Sequence, residues 1–202
     1  MRHRNDLTKT EGRRLCLSLL HVAIAVGIVI GAVWISTGGR ADIAGQWWVH
    51  QYFSPIYSGN TVLDVFKNTF FSSALFLVLA LLFGFFAVGQ PLEIILLTCR
   101  CVGIGASVAL MYITSGAESF PSVMVLVLPK ALVLSFIAAL SVREALKLSG
   151  LLFAFLFRDE FPDEKTGRTI KLYFIKFFVL MVMVLLVSVM DSLMNYFFMD
   201  LY

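Results

Sequence analysis

Residues 69–88 read TFFSSALFLVLALLFGFFAV and residues 91–113 read PLEIILLTCRCVGIGASVALMYI, with only Gly89 and Gln90 between them. Each run has roughly the 20 apolar residues that an α-helix needs to cross the hydrocarbon of a bilayer. A link this short forces the two into an antiparallel hairpin. Three further apolar runs lie outward of this pair, at 15–36, 123–140 and 172–193. Together they predict an all-α integral membrane protein with about five transmembrane helices, the whole chain 1–202 forming one membrane domain.

Composition agrees with that prediction. Of 202 residues, 59% are apolar and 14% charged, against about 25% charged in a typical soluble domain. A small water-soluble fold has too much surface to hide such an excess, so a soluble enzyme is excluded and the bilayer is the expected partner. The net charge of +3 does not point to nucleic acid, because the basic residues flank apolar runs, where they set membrane orientation. Cys16, Cys99 and Cys101 all lie inside apolar runs, which suits packing rather than a disulfide framework or a zinc site. The first run is too long for a signal-peptide core, and its best cleavage site puts Asp42 where a small residue is needed, so it is expected to remain as a span.

Orientation follows from charge. Arg2, Arg4, Lys9, Arg13 and Arg14 precede the first run, and Arg143, Lys147, Arg158, Lys165, Arg168 and Lys171 fall in the loop 141–171. With five spans these two segments share a side, which the positive-inside rule makes the cytoplasm. The other side holds only Arg40 and Lys67. The amino terminus is therefore expected inside and the carboxyl terminus outside. The helix of the fourth run is expected to continue through Lys147. Beyond it, 151–157 is apolar but too short to cross, and 158–168, with Pro162 and Gly167, reads as a solvated turn.

The outside loop 37–67 carries Trp47, Trp48, Tyr52, Phe53 and Tyr57. Amphipathic aromatics concentrate at the membrane boundary, which predicts a helix lying on the outer leaflet, a docking surface for an extracytoplasmic partner, or both. Five charged residues fall within the spans: Glu93, Arg100, Lys130, Lys176 and Asp191. Glu93, in the first turn after Pro91, is expected near water at a favourable helix end. Arg100 is placed to snorkel, or to reach Glu93 or a neighbouring helix. Lys130 and Asp191 lie at similar depth and are expected to pair, since either charge alone in hydrocarbon is costly. Lys176 is expected to snorkel. Gly27 and Gly31, and Gly103, Gly105 and Ser107, form small-residue faces that permit close helix packing, including homo-oligomer formation.

Catalytic constellations are not evident. His3, His21 and His50 are scattered, with no metal-ligand spacing and no phosphate-binding glycine loop, so no catalytic residue, cofactor or metal is expected.

Gly84, Gly89, Pro91, Arg100 and Gly105, followed by Pro129 at the next span, keep the spacing of the central segment of the stage II sporulation protein M family, which this chain resembles over most of its length. Departures occur at Arg100-Cys101, where the family usually has lysine-glycine; at Lys130-Ala131, where it has polar residues; and at Ser72 or Asn68, where it has an asparagine. The resemblance implies a non-enzymatic scaffold in the bacterial cytoplasmic membrane, at the sporulation septum and mother-cell membrane. There the family gathers a lytic transglycosylase and an amidase/endopeptidase, both peptidoglycan-degrading enzymes, during forespore engulfment. By position, Trp47, Trp48, Tyr52 and Tyr57 and the tail 195–202 are the segments that could dock them. The alternative is a permease or channel subunit, suggested by the charges within the spans and by a kink at Pro129.

Overall fold

A computed structural model of the chain describes residues 2–37, 62–116, 120, 123–158 and 165–199. Among these there is no strand. The helices are α1 (Arg2–Ser36), α2 (Val62–Gly84), α3 (Gln90–Ser115), α4 (Leu128–Arg158) and α5 (Lys165–Met199), and a π-helical turn, Val123–Val127, leads into α4. Each of the five carries a stretch long and apolar enough to cross a bilayer. The expected all-α architecture is present.

Element boundaries follow from local chemistry. α1 ends where Thr37 donates its backbone N–H and its hydroxyl to the Val33 carbonyl, at 3.0 and 2.9 Å, satisfying acceptors that a helix end leaves open. α2 begins at Val62 with Asp64 in its first turn, a carboxylate at the positive helix end. The sequence had suggested a span at 69–88; the helix is shifted toward the amino terminus, and residues 62–67 leave the outside loop to join it. Its last predicted residues instead form the turn, in which Phe85, Phe86 and Gly89 donate N–H groups to Leu82, Phe83 and Phe86 carbonyls. A side chain at Gly89 would overlap the Phe83 carbonyl oxygen, so the hairpin needs a residue without a β-carbon there. Pro91 opens α3, where a missing N–H costs no intrahelical bond. Pro129 likewise cannot donate to the preceding turn, and the wide π turn before α4 accommodates it.

α4 continues unbroken to Arg158, well past the expected Lys147. Residues 151–157 are the end of this helix rather than a separate short segment. Ser149 in this extension donates to the Phe86 carbonyl at 2.7 Å, and Gly150 faces the Gln90 side chain. The end of α4 thereby covers the α2–α3 turn.

The main core joins all five helices through Leu20, Leu77, Leu97, Leu134, Val142 and Phe177. α1 is held chiefly by α3. A β-carbon on Gly27 would come within 2.7 Å of Cys101 and of the Thr98 carbonyl oxygen, and β-carbons on Gly31 and Gly105 would overlap the Val102 and Ile28 carbonyl oxygens. The small-residue faces predicted from sequence thus bring two backbones of the same chain together. Outward-facing Val29, Phe71, Ile95, Phe136 and Phe178 are exposed on successive helices. So large an apolar exterior fits a lipid solvent.

Candidate functional site: a polar cluster inside the bundle

Three helices meet at the end of the bundle formed by the start of α2, the start of α4 and the last turns of α5. Lys130 and Asp191, 7% and 5% exposed, form an ion pair with Nζ 2.6 Å from Oδ2. Thr69 closes the group: its hydroxyl donates to the same Asp191 oxygen at 2.7 Å and accepts from Lys130 at 2.9 Å. Asn195, one turn beyond Asp191, donates its side-chain amide to the Asp191 backbone carbonyl at 2.8 Å and to Oδ1 at 3.3 Å. Both carboxylate oxygens are therefore satisfied within the protein, which is what makes a buried pair tolerable. The pairing expected from the depth of the two charges is present. Nearby, Ser192 donates to the Val62 carbonyl at 2.6 Å, tying the first turn of α2 to α5.

One turn deeper on α2, Ser73 accepts a hydrogen bond from Arg100 at 2.8 Å. The guanidinium also lies 5.0 Å from the centre of the Phe76 ring, within cation–π range. Of the alternatives open in the sequence, Arg100 takes the neighbouring helix. Cationic groups from α3 and α4 thus converge on hydroxyls that α2 presents at 69 and 73, one helical turn apart.

Lys176, expected to snorkel, is half-exposed and donates to Glu144 at 2.6 Å. Glu144 also pairs with Lys147 one turn away on α4, because α4 continues as helix beside α5. Glu93 departs further. It is 0% exposed, and among the described residues neither carboxylate oxygen has a hydrogen-bond partner. The extension of α4 across the hairpin turn encloses the helix end that the sequence had suggested lay near water.

The motif glycines and prolines have packing roles. Gly84 is buried against Tyr173, whose hydroxyl donates to the Leu81 carbonyl at 3.0 Å; Gly89 and Pro91 shape the hairpin; Gly105 admits α1; Pro129 follows the π turn. Trp47, Trp48, Tyr52 and Tyr57 lie outside the described residues. In the proposed docking tail, 195–199 belongs to α5, and Asn195 is buried in the polar cluster. Among the described residues no group of three or more potential ligands is placed to hold a metal.

Thr69 and Ser73 were not singled out from sequence, and Asn195 was read only as the start of the docking tail. The usable signal was spacing: Thr69 with Ser73, and Asp191 with Asn195, place polar residues at i and i+4 on one face of an otherwise apolar helix.

These features define a polytopic α-helical membrane protein with an internally satisfied charge cluster. Comparisons with known protein families, curated proteins and solved structures find no match to this chain.

Proposed function

We propose that this protein is a non-enzymatic membrane scaffold, with its amino terminus in the cytoplasm and its carboxyl terminus outside. In this reading it recruits a lytic transglycosylase and an amidase/endopeptidase to the septal membrane during forespore engulfment. The observation that favours a scaffold is the closed Lys130–Asp191–Thr69 group. Charges on a transport path face a cavity and exchange partners with the passing species, whereas these three bond to one another and fasten α2, α4 and α5 together. Such a clamp suits a bundle that holds outside segments in fixed positions. The charge asymmetry of the flanking segments supports the orientation, and the joint spacing of Gly84, Gly89, Pro91, Arg100, Gly105 and Pro129 supports the kind of partner.

The test is crosslinking from sporulating membranes with a photoreactive residue at Trp47, Trp48, Tyr52 or Tyr57. Recovery of the two wall-cleaving enzymes is the expected result. Recovery of only a cytoplasmic ATPase would overturn the scaffold in favour of a permease subunit.

A further inference from the structure

We propose that Glu93 is a proton-binding site, a neutral carboxylic acid while α4 covers the α2–α3 hairpin. Both of its oxygens are buried, and among the described residues neither has a hydrogen-bond donor. The groups that could supply one are directed elsewhere. Pro91 has no N–H, and the Glu93 backbone N–H donates to the Gly89 carbonyl at 3.0 Å. On α5, the Tyr173 hydroxyl donates to Leu81; on α4, the Ser149 hydroxyl donates to Phe86.

Among the described residues no ion pair reaches Glu93. Lys147 on α4 and Lys176 on α5 both pair with Glu144, and Arg100, two turns along α3, donates to Ser73 on α2. A buried carboxylate with neither a donor nor a counter-ion is among the costliest groups a membrane interior can hold. Binding a proton removes the charge and leaves an O–H that needs a single acceptor.

The position also gives proton exchange a structural consequence. The 149–150 segment of α4 packs on the hairpin turn just before Glu93, and ionising a buried carboxyl there is expected to loosen that packing. The site stands whichever partners the outside segments meet.

The test is infrared spectroscopy of the full-length chain in lipid nanodiscs. At neutral pH the wild type is expected to show the C=O stretch of a buried protonated carboxyl, and Glu93→Gln is expected to lack it. Because glutamine reproduces the shape of the neutral acid, this variant should melt no lower than wild type and should remain folded at alkaline pH, where the wild type loosens. Absence of the band in the wild type at neutral pH would overturn the proposal, as would its persistence in Glu93→Gln. A Glu93→Gln variant less stable than wild type would also count against it. A wild-type carboxylate band that responds to added sodium or calcium at fixed pH would replace the proton with a metal cation and equally refute it.

Discussion

Replacing Lys130 with Met leaves Asp191 buried beside Thr69 and Asn195 with its counter-ion gone. At the 2.6 Å separation of the pair, the direct attraction is about 6 kcal/mol at an effective dielectric of about 20. Desolvation of the two ions offsets much of that attraction. The measurable quantity is the cost of stranding one of them, typically about 3–5 kcal/mol for a buried pair broken on one side. Lys130→Met and Asp191→Leu should each destabilise by about that amount, while the double variant, which buries no charge, should cost no more than either single change. The coupling extracted from the four proteins is then at least about 3 kcal/mol. The assay is reversible unfolding in mixed detergent-lipid micelles, following helix content for wild type, both single variants and the double. If the single effects simply add in the double variant, the clamp reasoning is wrong.

Gly31→Leu and Gly105→Leu should each drive α1 away from α3, because the added atoms meet the Val102 or Ile28 backbone; a loss of about 1–3 kcal/mol in the same unfolding assay is expected. Tyr173→Phe keeps the ring beside Phe177 but removes the hydroxyl bond to Leu81, and should cost about 1 kcal/mol by thermal unfolding. Lys176→Ala should cost less than about 1 kcal/mol, because its side chain is half exposed in the Glu144 pair. Added salt should narrow that small difference, whereas it should leave the Lys130–Asp191 coupling nearly unchanged.

Spans were easiest to read where an apolar run had a chemical stop at both ends. The third run begins at Pro91, and the helix begins beside it at Gln90. The second was misplaced because apolar content alone does not separate helix from turn. FFAVG at 85–89 is as apolar as the span before it, yet it makes the hairpin, and Asp64, Lys67 and Asn68 fall in the helix despite their polarity. Lys130 and Asp191 were legible as a pair because opposite charges at one depth in hydrocarbon have few other options. Thr69 and Ser73 were not, since a hydroxyl can satisfy itself on its own helix, as Ser188 does by donating to the Val184 carbonyl. Glu93 was misread for a tertiary reason: the helix end is a favourable place for a carboxylate, but the extension of α4 across it follows from packing that no local pattern reports.

An odd number of bilayer crossings is the claim on which the account rests, and thiol labelling of the two ends tests it most directly. With Cys16, Cys99 and Cys101 replaced, single cysteines introduced at Arg2 and at Tyr202 would be exposed to a membrane-impermeant maleimide in intact spheroplasts. The position-202 cysteine should label at once, and the position-2 cysteine only after the membrane is permeabilised. Equal labelling of both before permeabilisation, or protection of both, would contradict five crossings.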